Sequence, residues 1–314
     1  MADQPMIVIR GVSEEAEREQ VRRIAGAARV EFAETAAEVA ALAPEADAIA
    51  GEISPEVLAS ARGLRWLHSW AAGPHVYPEL VDHPVVMTSA KGNGGVPLAE
   101  QAMLLMLMLN RSALRWIDAQ RDRRWERFTH GELAGLTCGI VGLGHAGADL
   151  VPKARAFHMR VLGVRREASI PVEGVDRLYA PEQLGEMLPE ADFVVVTAPL
   201  TEQTRDMFGA AEFRAMKDTA FWICISRGGI ANDSALQRAL EEGWIAGAGI
   251  DAHGVEPLPA DSPFWTLPNT IITPHNGATS GATRQRGMAI FLDNLGRFVR
   301  GEPVQNLVDK PHGY

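Results

Sequence analysis

The sequence predicts an α/β protein built from two doubly wound parallel sheets, one in each of two domains. Three observations predict this. The chain has 314 residues, which at roughly 150 residues per domain suggests two. Short apolar runs alternate with segments of helical periodicity along most of its length, the pattern of strands joined by crossover helices. A glycine-rich turn at residues 142–147 separates one such run from a helix-like stretch.

The elements follow in order. Residues 6–9 (MIVI) form a first strand. Residues 13–27 are rich in Glu, Arg and Ala, with Val21 and Ile24 spaced for one helix face. Ser13 is the candidate cap of that helix. A strand at 30–32, a helix at 35–42 and a strand at 46–50 come next. Ser54 followed by Pro55 marks another helix start. Strands at 64–68 and 85–88 complete this unit. SAKGNGG (89–95) is a breaker. Residues 96–111 then read as one long apolar, Met-rich helix, buried in a core or at a subunit interface. The stretch 111–131 is rich in Arg and Trp. A second alternating unit runs from 136 to about 274, with a strand at 138–141, a helix through 157 and a strand at 160–164. A last apolar helix covers 282–300. The expected division is 1–96 with 287–314 against 97–286.

Composition excludes several classes. Lys and Arg number 30 and Asp and Glu 40, a net charge of −10, which repels a phosphate backbone and argues against nucleic-acid binding. A local basic pocket for one phosphate remains allowed. The longest apolar run, residues 102–109, is far short of the roughly 20 residues that span a bilayer. The opening MADQPMIVIRG carries Asp3 where a leader needs basic residues and a longer apolar stretch. The two cysteines, Cys138 and Cys224, lie in apolar strands and read as reduced core thiols. The expectation is a cytoplasmic protein with no membrane partner and no metal.

CGIVGLGHAGADL (138–150) places Gly142, Gly144 and Gly147 as G-x-G-x-x-G between strand and helix. In a dinucleotide site the first glycine makes the tight turn, the second admits the pyrophosphate, and the third lets helix and strand pack closely. The helix N-terminus, with His145 and Ala146 at its start, then presents free N–H groups to the phosphates. A ribose 2′-OH is usually held by an acidic residue about 20 positions on. Arg165, 23 positions after Gly142, and Arg166 stand there instead. A guanidinium suits a 2′-phosphate, so NADP is preferred over NAD, although solvated surface arginines would read the same way.

Three segments each end an apolar strand: CISRGGIANDSAL (224–236), GAGIDAHGVEPLP (247–259) and IITPHNGATS (271–280). They carry Arg227, Glu256 and His275, with Asp251 as a fourth ionisable group. With GIVGLGHAG and VVVTAPLTEQTRDMF (194–208), these segments resemble the D-isomer-specific 2-hydroxyacid dehydrogenases over nearly the whole chain. The resemblance implies two Rossmann-like domains, a flavodoxin-like substrate domain and a dinucleotide-binding domain, with a cleft between them. It implies that Arg227 binds the substrate carboxylate and carbonyl, that His275 is the acid/base, and that Glu256 orients it. Thr197, Ala198 and Pro199 would line the cofactor site, and Asp251 would lie near the nicotinamide or serve as a turn former. Ala72 and Gly73, in SWAAGPHVYP, match the loop whose N–H groups contact the substrate carboxylate. Pro74 there lacks an N–H, and Trp70 and His75 either shape the pocket or serve structure. Residues 51–53 are a second candidate wall. Ala146 stands where a larger aliphatic residue is common, a packing change.

The chemistry supports these roles independently. Reduction of a 2-keto acid moves a hydride to carbon and a proton to oxygen. Histidine is a suitable proton donor near neutral pH, and a neighbouring carboxylate favours its charged form and fixes its tautomer. Arginine can clamp a carboxylate and polarise the ketone. The expected activity is hydride transfer between NADP(H) and a small 2-hydroxy or 2-keto acid, of the glyoxylate or hydroxypyruvate type. Two rivals stay open: a formate or phosphite dehydrogenase of the same fold, and a non-catalytic dinucleotide-sensing protein. Formate enzymes generally pair the histidine with Gln, whereas this chain has Glu256. The resemblance also implies a homodimer formed through the Met-rich helix and the following segment. Arg115, Trp116, Arg121, Arg123, Arg124 and Trp125 would lie near the partner or on a solvated face, with Trp125 reaching toward the neighbouring active site.

Overall fold

The structure, a computed structural model, describes residues 4–74 and 76–311. Asp3 and His75, both considered above, lie outside the described residues. The chain divides into two compact units. One takes in the described residues up to Asn93 together with those from Ser280 onward, and the other is Gly94–Thr279. The division falls at 93/94 and 279/280 rather than at 96/97 and 286/287, because each long apolar helix stays whole within one unit.

The first unit contains strands β1 (Met6–Arg10), β2 (Arg29–Ala33), β3 (Ala48–Ala50), β4 (Trp66–Ser69) and β5 (Val86–Ser89). Its helices are α1 (Glu15–Ala25), α2 (Ala36–Leu42), α3 (Pro55–Ser60) and the short α4 (Pro78–Val81), which sequence periodicity did not reveal. The strands pair in the order β2-β1-β3-β4-β5, parallel throughout, the flavodoxin-like arrangement. Thr35 caps α2 by accepting from Glu38 N–H, and Ser54 caps α3 by accepting from Val57 N–H. Ser13 does not cap α1. That helix begins at Glu15, so Glu14 occupies the cap position, and its side chain makes no capping bond.

The second unit opens with α5 (Gly95–Asn110) and α6 (Ala113–Arg121). Strands β6 (Thr137–Val141), β7 (Arg160–Val164), β8 (Arg177–Tyr179), β9 (Phe193–Val196), β10 (Phe221–Cys224), β11 (Gly247–Ile250) and β12 (Thr270–Ile272) follow. Between them lie α7 (His145–Ala156), α8 (Leu184–Met187), α9 (Ala210–Ala215) and α10 (Asp233–Glu241). The strand order is β12-β11-β10-β9-β6-β7-β8. Counted within the unit, this is the 3-2-1-4-5-6 order of dinucleotide-binding folds with one strand added. The order reverses between β6 and β9, and ligands of open parallel sheets bind outside the strand ends at such a switch.

Each sheet is covered on both faces by apolar clusters, which is why its strands are apolar on both sides. Helix α5 buries Ala99, Ala102, Met103, Leu105, Met106 and Leu109 against the second sheet and α7. A side chain at Gly249 of β11 would come within 3.0 Å of Leu105, so that glycine admits the helix. The final helix, α11 (Gly281–Arg300), belongs to the first unit. Ser280 caps it by accepting from Thr283 N–H.

The first unit holds a fully buried histidine. The Thr88 hydroxyl accepts from the Trp66 indole at 2.9 Å and lies 2.8 Å from His68 Nδ1. The hydroxyl can donate to Nδ1 or accept from it, according to the tautomer of the ring. Nε2 is buried without a hydrogen-bond partner among the described residues, and the ring stands edge-on to Trp70, 5.3 Å between centroids. Trp70 also donates to the Arg10 carbonyl at 2.7 Å and packs on Phe291.

Burial lowers the His68 pKa from 6.5 to about 4. The unfolded chain therefore binds this proton at a higher pH than the folded one. The stability tied to neutral His68 is in place above the unfolded value and is lost as pH falls from about 6.5 to about 4, an amount on the order of 3 kcal/mol. Urea unfolding of the wild type and of His68→Phe at about pH 7.5 and about pH 4.5 checks this, and the variant should lose less stability on acidification.

Candidate active site

The glycine turn lies at the switch point. Strand β6 ends at Val141, and Gly142 takes a φ of +97°, a conformation open chiefly to glycine. A side chain there would come within 2.7 Å of Ala198 N. A side chain at Gly147 would overlap the Gly142 carbonyl, so α7 can pack this closely only without one. Gly144 differs, because a methyl group there would meet nothing within 4 Å. It occupies the N-cap of α7 and makes no side-chain capping bond. The first N–H groups of the helix, from His145 and Ala146 onward, have no cap side chain over them. This is the cradle that a pyrophosphate requires.

Thr197, Ala198 and Pro199 follow β9, the strand beside β6. The Thr197 hydroxyl donates to the Gly142 carbonyl and its N–H to the Val141 carbonyl at 2.9 Å. These bonds tie the second strand end to the turn. Arg165 and Arg166 directly follow β7, the neighbour of β6 on the other side. Arg165 is partly buried and lies 3.7 Å from Glu167, while Arg166 is exposed.

The three ionisable segments leave β10, β11 and β12. Parallel pairing sets Cys224 beside Ile250 and Ile250 beside Ile272. Arg227 and His275 each stand three residues beyond these registered positions, so both emerge at the carboxyl edge. The structure joins two of the expected residues directly, since His275 Nδ1 lies 2.7 Å from Glu256 Oε2. A carboxylate accepts, so Nδ1 carries the proton and Nε2 is left for chemistry. His275 is exposed and adopts a φ of +50°, a left-handed conformation that costs on the order of 1 kcal/mol for such a residue. Burial raises the Glu256 carboxyl, but hydrogen bonds from His253 N–H and the His275 ring outweigh it. The group is held below the ordinary carboxylate range. Arg227 turns its guanidinium onto the Ser226 carbonyl at 2.7 Å and is not joined to the pair by a hydrogen bond.

Asp251 has no exposed surface. Its carboxyl accepts from the Thr273 hydroxyl at 2.6 Å, from Asn276 N–H at 3.2 Å and from Gly277 N–H at 3.0 Å. These bonds shape the loop that carries His275, the turn-forming role left open above. Sequence reasoning missed the supporting residues. Gln101 of α5 donates to the Thr273 hydroxyl at 3.1 Å. His253 bonds Glu256 within its own segment and the Thr273 carbonyl in the next, with only its place three residues before Glu256 to signal it. Gly228 packs so tightly under the His253 carbonyl that a side chain would overlap it.

In the first unit, Ala72 and Gly73 lie on an exposed loop after β4. Among the described residues nothing accepts from either N–H, so both remain available as donors. Gly51, at a φ of +134°, donates to the His68 carbonyl, and Glu52 accepts from Ser69.

Asp251→Ala leaves the Thr273 hydroxyl and two backbone N–H groups without their acceptor. The expected cost is on the order of 3 kcal/mol of stability, read as a lowered denaturant midpoint. A loss within experimental error would show that the loop holds its shape without this carboxyl.

Residues 103–277 match the model of the D-isomer specific 2-hydroxyacid dehydrogenase, NAD binding domain. A glyoxylate reductase of Korarchaeum cryptofilum is 35% identical over 269 residues, covering 82% of this chain and 80% of that protein. A D-isomer specific 2-hydroxyacid dehydrogenase family protein of Aeromonas salmonicida superposes with a TM-score of 0.86 at 29% identity, covering 98% of this chain and all of that one. An NADPH-dependent glyoxylate/hydroxypyruvate reductase of Sinorhizobium meliloti, solved with NADP and sulfate, gives a TM-score of 0.84 at 27% identity, with 99% and 100% covered. The glycine turn at the switch point, the strand order and these matches agree: the chain belongs to the D-isomer specific 2-hydroxyacid dehydrogenase family.

Proposed function

We propose that this protein reduces a small 2-keto acid, of the glyoxylate or hydroxypyruvate type, with NADPH. The observation that carries the reading is the hydrogen-bonded pair of His275 and Glu256 at the carboxyl edge of a dinucleotide-binding sheet. The named activities of the Korarchaeum and Sinorhizobium relatives support the substrate class.

The roles follow from residue chemistry. Arg227 holds the substrate carboxylate and polarises the ketone. Its present bond to the Ser226 carbonyl is one that a carboxylate can displace. Glu256 fixes the tautomer of His275, so Nε2 delivers the proton to the carbonyl oxygen. The nicotinamide supplies the hydride when bound. Gly142, Gly144, His145, Ala146 and Gly147 form the phosphate cradle, and Thr197, Ala198, Pro199 and Asp251 shape the neighbouring wall. Arg165 and Arg166 hold the 2′-phosphate, with NAD as the weaker alternative. Ala72 and Gly73 offer further N–H donors for a carboxylate.

The protein acts as a cytoplasmic homodimer in this reading. Its two buried free cysteines suit a reducing compartment. Leu104, Leu114, Trp116 and Ile117 are exposed apolar side chains on α5 and α6, and Trp125 is 96% exposed, the residue types that association covers.

Turnover of NADPH with glyoxylate, hydroxypyruvate and longer 2-keto acids tests the activity. It should fall by at least about 100-fold in His275→Ala. Cofactor binding without turnover of any keto acid would overturn the reading and direct attention to formate and phosphite oxidation. Arg165→Asp should shift the preference toward NADH, and an unchanged NADPH/NADH ratio would place the phosphate elsewhere. Trp125→Ala should raise KM or weaken the dimer measured by light scattering. No change in either would remove Trp125 from the site.

A further inference from the structure

Three catalytic segments meet at a residue that none of the roles above uses. His253 lies three positions past the end of β11. Its backbone N–H donates to Glu256 Oε1 at 2.8 Å. Its ring Nε2 lies 3.0 Å from the Thr273 carbonyl, 20 residues away in sequence. A carbonyl only accepts, so this nitrogen carries a proton. Its own carbonyl rests against Gly228, the neighbour of Arg227, where no side chain fits. One residue therefore touches the segments of Arg227, Glu256 and His275.

The ring bond has a definite mechanical consequence. His275 holds a left-handed backbone conformation that must be imposed from outside. On its far side, Asp251 fixes Asn276 and Gly277. On its near side, the loop is fixed at Thr273, through the hydroxyl to Asp251 and the carbonyl to His253. The His253 contact also ties that loop to the turn in which Glu256 sits, so the acid/base pair shares one support. The Glu256 and His275 side chains are themselves about one-third exposed.

We propose that His253 is a positioning residue that sets the alignment of the Glu256–His275 pair by bonding the Thr273 carbonyl. The proposal rests on the reading of that pair as the acid/base apparatus. Three full-length proteins test it: wild type, His253→Phe, which removes the donor, and His253→Gln, whose amide can still donate to Thr273.

One readout is independent of turnover. Carbon-13 carboxyl NMR follows the titration of Glu256, which is held low in the intact pair. In His253→Phe it should move up toward the ordinary carboxylate range, and in His253→Gln it should stay near the wild-type position. In the glyoxylate assay, kcat of His253→Phe should fall by about 10- to 100-fold with KM changed by less than about twofold, and His253→Gln should recover most of the loss. If His253→Phe does not fold, His253→Asn, too short to reach Thr273, takes its place. A folded donor-less variant with an unmoved Glu256 titration would overturn the proposal. So would a folded His253→Gln as impaired as the donor-less protein. Absence of keto-acid turnover in the wild type would sink the functional reading instead, while the Glu256 titration would still decide the role of His253.

Discussion

A buried carboxyl group must be surrounded by donors, and much of the second unit's functional edge answers to that demand at Asp251. The residue directly follows β11 and has no exposed surface. Left without partners, such a group would cost several kcal/mol. The chain supplies a hydroxyl from Thr273 and the N–H groups of Asn276 and Gly277. Meeting that requirement folds residues 273–277 into one shape, with His275 at its crest. Asp251 thus acts as an architect. Of the hydrogen-bonded pair, His275 stands on the loop it builds, while Glu256 reaches it from the segment that follows β11.

The remaining arrangement is a consequence of parallel pairing. Strands β10, β11 and β12 run side by side in register, so all three following loops emerge at one edge. Neighbouring parallel strands lie about 4.8 Å apart, so groups from adjacent loops come within reach of a common small molecule. Glycines then decide how closely those loops approach. Gly228 meets the His253 carbonyl and Gly277 lies 2.8 Å, by its missing side chain, from Asp251. At the switch point Gly142 and Gly147 do the same for the phosphate turn.

Much of this was legible in the chain itself. Short apolar runs located most of the strands, and the strand–glycine–helix pattern located the phosphate turn, because both are local in sequence. The residues Arg227, Glu256 and His275 stood out as ionisable groups just past apolar strands. What stayed hidden was set by distance. The ring of His253 finds its partner 20 residues away, and Gln101 reaches Thr273 across 172; no local pattern records either. Ser13 misled because helix starts depend on backbone dihedrals one residue either way, and here the extended residue is Glu14. The short helix α4 offered too few residues for a periodicity to emerge.

The three glycines of the phosphate turn are unequal in a way that bears on how such a chain drifts over generations. Two of them, Gly142 and Gly147, face backbone or side-chain atoms at distances no methyl group tolerates. A lineage that loses either must shift the backbone around the turn. Gly144 faces open space, so the fold itself asks nothing of it. A constraint on that position would have to come from a bound nucleotide rather than from packing. A descendant freed from the need to hold a dinucleotide would keep the outer two glycines and let the middle one wander. A substituted Gly144 between intact neighbours would then be the scar of a lost cofactor.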